Sequence, residues 1–266
     1  MDKTSLFGVV LGIIAVGVGM FLKGVDITAL LNPAAMLVIF VGTAASVTIA
    51  FPSSEIKKVP KLIGIIFKEK KMPKPKELII LFSDMAQLAR REGLLALEAE
   101  MGKIDEPFLK QGLLMAVDGQ SADYIREVLN DEIDAMEERH AVGAQIFTQA
   151  GTYAPTLGVL GAVIGLIAAL GNMDNTDELG VAISAAFVAT LFGIFTGYVL
   201  WHPFANKLKR KSNEEVRLKE LMVEGILSIL EGEAPRMIEQ KLASYLPKEQ
   251  RKELQDEREV ATNVQA

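Results

Sequence analysis

The stretch Gly151–Gly171, GTYAPTLGVLGAVIGLIAALG, contains no charged residue. It is long enough to cross a bilayer, whose hydrocarbon core takes about 20 apolar residues of helix. At 3.6 residues per turn, Pro155, Gly158, Ala162, Gly165 and Ala169 fall on one stripe, and Leu157, Leu160, Ile164 and Ile167 on the opposite one. The reading is a membrane helix with a small face and a bulky face. Small faces let a second backbone approach closely, and Gly161 and Gly165 add a GxxxG spacing. Ordinary helix packing accounts for such a face unless the rest of the chain asks for more.

Working outward, three more runs have the same character. Ser5–Leu22 is apolar and ends at Lys23, with Gly8 and Gly12 again at GxxxG spacing. Its apolar core is longer than that of a signal peptide, only one Lys precedes it, and no clean cleavage site follows, so it reads as a first span. Pro33–Phe51 is the second, with Asn32 as its N-cap and Pro33 in the first helical position. The connection between these two is short, which predicts an antiparallel hairpin. Leu179–Trp201 is the fourth. The spans thus cover about residues 5–22, 33–51, 151–171 and 179–201.

The charged residues lie between these runs. Lys57, Lys58, Lys61, Lys68, Lys70, Lys71, Lys74 and Lys76 follow the second span, and Lys207, Lys209, Arg210 and Lys211 follow the fourth. The positive-inside rule makes both flanks cytoplasmic. The loop 172–178 carries Asp174, Asp177 and Glu178 with no Lys or Arg, as an external loop should. Both termini are then cytoplasmic. The expected fold is an all-α integral membrane protein with four transmembrane helices. A helical cytoplasmic domain is inserted between spans 2 and 3, and a helical cytoplasmic segment ends the chain. The limits are 1–51 (spans 1 and 2), 52–147 (inserted domain), 148–201 (spans 3 and 4) and 202–266 (C-terminal helices and tail).

Within the inserted domain, Lys76–Lys103 reads as a helix with Leu78, Phe82, Met85, Leu88, Ala89 and Leu95 as its apolar stripe. Asp105–Val117 suggests a shorter helix. A new helix starts near Ser121, a good N-cap residue, and meets no strong breaker before the third span. Fully helical, it would be a rod of ~75 Å at 1.5 Å per residue. After the fourth span, Phe204–Glu231 and Ala234–Leu246 read as helices, interrupted by Gly232 and Pro235, and the stretch from Pro247 as disordered.

Composition narrows the function. Of 266 residues 50% are hydrophobic and 23% charged, with a mean hydropathy of +0.28, so apolar and charged residues are segregated along the chain. A net charge of −6 gives no support for nucleic-acid binding. There is no cysteine, and His140 and His202 form no ligand motif, so no metal site is expected. The glycines of the third span lack the strand–turn–helix context and the Lys of a phosphate-binding loop. No residue set supports an enzyme.

Span 4 repeats the design of span 3. Ala182, Ala186, Ala189, Thr190, Gly193 and Gly197 cluster on one side, and Phe187, Leu191, Phe195 and Tyr198 on the other. Two such helices could line a shared cavity, with Thr190 as its polar point. The competing reading for Thr190 is a hydroxyl bonded back to its own helix. No Asp, Glu, Lys, Arg or His lies within any span as drawn. A proton path needs an intramembrane titratable group, so any such group must come from a partner. In the inserted domain, Arg91 and Glu98 stand at i, i+7, too far apart for a direct helical salt bridge and better placed to face a second surface. A solvated charged face is the alternative.

The order of elements resembles the MotA family of flagellar stator subunits, within the MotA/TolQ/ExbB proton channel family, and is most like its Bacillus-type members. The motifs that carry the resemblance are AQLARREGLLALE at 86–98, TYAPTLGVLGAVIGLI at 152–167, and VATLFG and WHPFANKLKRK within 188–211. The resemblance implies that Arg90, Arg91 and Glu98 meet complementary charges on the rotor protein FliG. It implies that Pro155 and Pro203 are the functional prolines near the cytoplasmic end of the channel. It also implies a bacterial inner-membrane complex of five copies around two copies of MotB. MotB would supply the intramembrane Asp and a peptidoglycan anchor, and no cofactor is implied. Sodium-driven relatives tend to carry Thr where this chain has Ala162 and Ala189, beside the retained Thr190. The transported ion expected here is therefore H+, with Na+ as the alternative. The alternatives are an ExbB/TolQ-like energy-transducing ring subunit, which would have three spans, and a self-sufficient pore.

Overall fold

The computed structural model describes residues 3–25, 27–68, 72–171 and 176–254, and every regular element among them is helical. Helix α1 is Lys3–Leu22. Helix α2 is Pro33–Ala50 and contains one π-helical turn, Leu37–Val41. A single helical turn, Ser53–Ile56, leads to α3, Val59–Phe67. Next come α4, Pro75–Glu92, the 3₁₀ segments Leu94–Ala99 and Met101–Lys103, and α5, Pro107–Val117. Helix α6 is a single run of 50 residues, Ala122–Gly171. Helix α7, Thr176–Phe195, passes through a second π-helical turn, Thr196–Trp201, into α8, His202–Leu230, and α9 is Pro235–Ala243. Four helical stretches are long and apolar enough to cross a membrane.

Local chemistry sets several boundaries as expected. The Asn32 side chain accepts the Ala35 N–H at 3.1 Å, and Ser121 Oγ accepts the Tyr124 N–H at 3.3 Å, so the starts of α2 and α6 are capped by side chains. One boundary is a correction. The helix expected over 76–103 stops at Glu92, because Gly93 takes a left-handed conformation (φ +86°) that ends the hydrogen-bond ladder. Leu95, counted in the apolar stripe, is instead 72% exposed, while Leu78, Phe82 and Met85 are buried. The i, i+7 relation of Arg91 to Glu98 is lost at the same break. A second correction concerns the C-terminus, where 248–254 is helical and Leu254 is buried. Arg251 fixes this stretch by donating to the Leu246 and Ser244 carbonyls at 2.9 and 2.8 Å. Asn172–Asn175, Lys70, Lys71 and the tail beyond 254 lie outside the described residues.

The chain divides into two compact units, Met1–Lys70 with Arg139–Lys211, and Lys71–Glu138 with Ser212–Ala266. The first holds all four spanning stretches, and α3 belongs with them. Ile66 of α3 is fully buried in a cluster with Ala144, Phe147, Ala205 and Leu208. Polar contacts pin the end of α3: Lys211 Nζ donates to the Ile65 and Lys68 carbonyls, both at 2.7 Å, and Ser5 Oγ donates to the Ile66 carbonyl at 3.3 Å. These are carbonyls that a helix C-terminus leaves open, and a cation suits them. The bulky residues of the spans, among them Leu160, Ile164, Ile167 and Phe187, point outward and are exposed. In water that surface would be unstable, and in a bilayer it is the expected one.

The second unit is an ordinary apolar core built from Phe82, Leu113, Leu129, Met222, Ile226 and Leu242. Lys219 bridges three of its helices, pairing with Glu132 at 3.3 Å and sitting 4.2 Å over the Phe108 ring. Lys241 ties α9 to the end of α8 through Glu224 at 2.5 Å, Glu233 at 3.2 Å and Ser228 Oγ at 3.1 Å. Partial burial alone would lower the Lys241 pKa, but its hydrogen bonds and charge contacts with Glu224 and Glu233 outweigh this and raise it above the usual lysine value. A raised lysine pKa stabilises the fold fully below the unfolded value and loses that contribution as pH rises through the folded one. Docking of α9 is therefore expected to be insensitive to pH near neutrality and to weaken above about pH 10.4. With the Lys241 side chain 38% exposed, Lys241→Met costs at most about 1 kcal/mol. Denaturant melts of the detergent-solubilised chain at pH 7 and pH 11 check both points: the difference between variant and wild type should shrink at the higher pH.

Candidate functional site

The small faces of α6 and α7 close on each other within the subunit. A Cβ added at Gly158 would lie 3.0 Å from the Ala189 carbonyl oxygen, and one at Gly161 would lie 2.9 Å from the Ala189 Cβ. At Gly165 the contact would be 3.0 Å to the Ala186 Cβ. From the other side, a Cβ at Gly193 would stand 2.6 Å from the Ala154 carbonyl oxygen and 2.9 Å from the Gly158 Cα. Such distances require glycine at 158, 161, 165 and 193, and they arise because small residues recur every three or four positions on each helix. Ala189 is accordingly buried, 2% exposed, beneath Gly158 and Gly161. Ala162, next to that seam, is half-buried.

Thr190 sits on the same seam, half-buried, and its hydroxyl donates to the Ala186 carbonyl of its own helix at 3.3 Å. The Gly158 carbonyl of α6 is within 3.5 Å of the same hydroxyl. The hydroxyl is thus satisfied inside the helix and also reaches the partner backbone. Thr48, Thr148, Thr152, Thr156 and Thr196 are bonded in the same manner to carbonyls four residues earlier. Thr43 differs: it is 4% exposed, and its hydroxyl has no hydrogen-bond partner among the described residues. Removing an unsatisfied buried hydroxyl while keeping the shape relieves a desolvation cost. Thr43→Val is expected to raise stability by about 1 kcal/mol, read as a shift in the denaturation midpoint in detergent. A fall in that midpoint would mean that the hydroxyl has a partner in the assembled protein.

Pro155 touches span 4 directly, and Pro203 follows a residue of span 4 that touches α6. Pro155 lies inside α6, where it has no N–H to give the Gly151 carbonyl. That carbonyl and the Pro155 ring both face Gly197 in the π-helical turn of span 4, where an added Cβ would be 2.9 Å from the oxygen and 2.8 Å from Pro155 Cγ. An added Cβ at Gly151 would lie 2.8 Å from the His202 ring, and Pro203, exposed, is the next residue along. His202 also lies against Tyr198, with ring centroids 5.4 Å apart. The proline in one helix is thus seated on the wide turn of the other. Departures from the regular ladder of this kind cluster at functional sites. Sequence reasoning found the prolines through resemblance but missed Gly151, Gly197 and His202 as their contacts; GxxxG spacing of Gly193 and Gly197 was the available signal.

Arg90, Arg91 and Glu98 belong to the other unit. The arginines end α4, and Glu98 lies in the 3₁₀ segment after Gly93. All three are exposed, and none makes an ion pair among the described residues. Leu95 adds an exposed apolar side chain between them in sequence. Charged groups around an apolar anchor are the usual make-up of a protein-binding patch. Among the described residues, no group of His, Cys, Asp and Glu could hold a metal ion.

Comparison with known proteins places this geometry. Residues 6–93 match the family model for the motility protein A N-terminal region, and residues 100–221 match that of the MotA/TolQ/ExbB proton channel family. Motility protein A of Bacillus subtilis is 68% identical over 251 residues, covering 94% of this chain and 93% of that protein. A chain in the structure of the flagellar MotAB stator complex from Bacillus subtilis superposes with a TM-score of 0.91 at 67% identity, covering 95% of this chain and 99% of that one. A chain of the C. jejuni MotAB structure superposes with a TM-score of 0.88 at 33% identity, covering 93% and 97%.

Proposed function

The chain belongs to the MotA/TolQ/ExbB proton channel family, and from this membership we propose how it works as a flagellar motor stator subunit. With a MotB-type partner it forms a proton-conducting complex that converts proton motive force into torque. The observation that carries this reading is the lack of any Asp, Glu, Lys, Arg or His in the four spans, in a family defined by proton conduction. The carboxylate that loads and unloads the proton therefore belongs to the single-span partner. Five copies of this chain surround two copies of that partner in the bacterial inner membrane, with both termini of the chain in the cytoplasm. The Lys and Arg flanks after spans 2 and 4 support that orientation.

Protonation of the partner's carboxylate removes a charge from an apolar environment and so changes the cost of burying it against the subunit ring. Ala162 and Thr190, both half-buried at the α6–α7 seam, face that change. Ala189 sets the depth of the seam from within. Pro155 lies inside α6 and Pro203 follows the π-helical turn of span 4, so these are the places where the two helices can bend as the ring shifts. Helix α6 runs as one helix from Ala122 through Pro155 to Gly171, which gives a displacement in its apolar half a continuous helical route to its other half. Arg90, Arg91 and Glu98 then act on complementary charges of the rotor protein FliG. The transported ion is H+: alanines at 162 and 189 offer no side-chain oxygen to a partly dehydrated Na+, whereas a proton needs only water and a carboxylate.

The test is co-reconstitution into vesicles under an imposed pH gradient. Proton flux is expected only when the chain and its single-span partner are both present, and only when the partner's intramembrane Asp is intact. Flux from this chain alone would overturn the two-component reading.

A further inference from the structure

We propose that the cavity formed by the Ser53–Ile56 turn, α3 and α6 binds the headgroup of a membrane phospholipid, its phosphate held by Lys58 and Arg139. The cavity has a volume of about 100 Å³. Glu55, Lys58 and Arg139 supply its charged lining, and Leu62, Val142 and Ile146 its apolar lining. At Gly143, also in the lining, an added Cβ would meet the Leu62 side chain at 3.1 Å. None of the three charged groups is in an ion pair among the described residues. Their attraction is therefore available to a ligand.

The sequence places this cavity at the membrane surface. Lys57 and Lys58 are the first cations after the second span, and Arg139 stands just before an uncharged run, 141–171. Helix α3 buries Ile66 inward and leaves Ile63 and Ile65 partly open, 37% and 38% exposed, with Lys61 and Lys68 beside them. A short helix of that composition suits the plane of the interface. Phe67, Phe147, Trp201 and Phe204 pack together in edge-to-face and tilted contacts, with the Phe67 and Phe204 centroids 5.6 Å apart, and aromatic side chains of this kind mark the headgroup layer.

The chemistry of the lining selects the ligand. The guanidinium of Arg139 can hold two phosphate oxygens at once, and Lys58 adds a point charge. The apolar lining suits the glycerol and first acyl carbons. Glu55 is unfavourable to a purely anionic headgroup but can accept from an ammonium. The occupant that satisfies all three charges is an aminophospholipid such as phosphatidylethanolamine. This differs from the attraction of the neighbouring lysine run for anionic lipid, which is diffuse and screened by salt.

The experiment uses the complex of this chain with its single-span partner, extracted in mild detergent and examined by native mass spectrometry. It is repeated in nanodiscs of mixed phosphatidylethanolamine and phosphatidylglycerol containing a photo-crosslinkable ethanolamine lipid. The wild type is expected to retain phosphatidylethanolamine and to crosslink within Leu62 or 142–146. Lys58→Gln with Arg139→Gln should lower retention by at least about tenfold, since even one charge-assisted hydrogen bond contributes about that much and the pair supplies more. Glu55→Gln should shift the retained lipid towards phosphatidylglycerol. Lys61→Gln with Lys68→Gln removes the same charge outside the cavity and should change nothing. Equal loss in that control would reduce the effect to diffuse attraction and overturn the site. Displacement of the lipid by millimolar inorganic phosphate would make it a general phosphate site instead. The wild-type crosslink stands independently of variant folding: crosslinking confined to other regions, or to a neighbouring copy's residues covering the cavity, would also overturn it.

Discussion

Gly193→Val is expected to abolish motility and to prevent recovery of an intact complex. The added Cβ would stand 2.6 Å from the Ala154 carbonyl oxygen, 2.9 Å from the Gly158 Cα and 3.1 Å from the Gly158 nitrogen. All three are backbone atoms of α6, so no rotamer change relieves the clash and the two helices must separate. Overpacking in a well-packed interior costs typically about 1–3 kcal/mol and occasionally more, and a clash with backbone belongs at the upper end. Separation would also expose Ala189 and disturb the distance between Thr190 and Gly158, so conduction should fail with assembly. The contrasting variant is Gly64→Ala in α3, where an added Cβ meets nothing within 4 Å. It should assemble like wild type and gain slightly in helix stability. Size-exclusion profiles of the co-purified complex, with swimming in soft agar, distinguish the two. Normal assembly and swimming by Gly193→Val would mean that the α6–α7 seam is looser than its geometry requires.

Reversing both arginines, Arg90→Glu with Arg91→Glu, is expected to leave folding, assembly and proton flux unchanged while swimming falls to about a tenth or less. Both side chains are exposed and outside any ion pair among the described residues, so the subunit loses no internal contact. Like charges brought together across an interface cost several kcal/mol, which accounts for the size of the loss. Partial recovery is expected when an acidic residue on the proposed rotor partner, FliG, is changed to Lys, because the proposed charge pair would be restored with opposite polarity. Leu95→Ser tests the same patch without charge, and a binding loss there identifies the exposed leucine as its apolar anchor. Full swimming by the doubly reversed variant would remove the arginines from the rotor contact.

Much of this was legible in the chain. The four spans follow from charge-free runs whose length matches a bilayer, and the starts of α2 and α6 follow from Asn32 and Ser121, whose side chains accept the backbone N–H groups expected of N-caps. The absence of charge from the spans as drawn is a property of the sequence alone, and the partner's carboxylate is proposed from it. Local features failed where one residue overrode a periodic pattern. Gly93 is such a case: the apolar spacing continues to Leu95, but a left-handed glycine ends the helix before it. The tail is another, since Leu254 finds a place in the core that its charged neighbours gave no reason to expect.

The sequence by itself determined the segregation into spanning and charged segments and the small faces of α6 and α7, and it singled out the charged and small residues from which a rotor contact and a proton path are proposed. These rest on short-range rules of length, period and charge, which need no knowledge of what packs on what. Only the tertiary structure decided that the small faces are used up against each other, that Ala189 is buried there, and that Pro155 sits on the wide turn at Gly197. Only it assigned α3 to the spanning unit and gathered Lys58, Arg139 and Glu55 around one cavity. The physical reason is that such pairings join residues tens of positions apart. Their energies come from close approach of backbones and side chains, which no local pattern encodes.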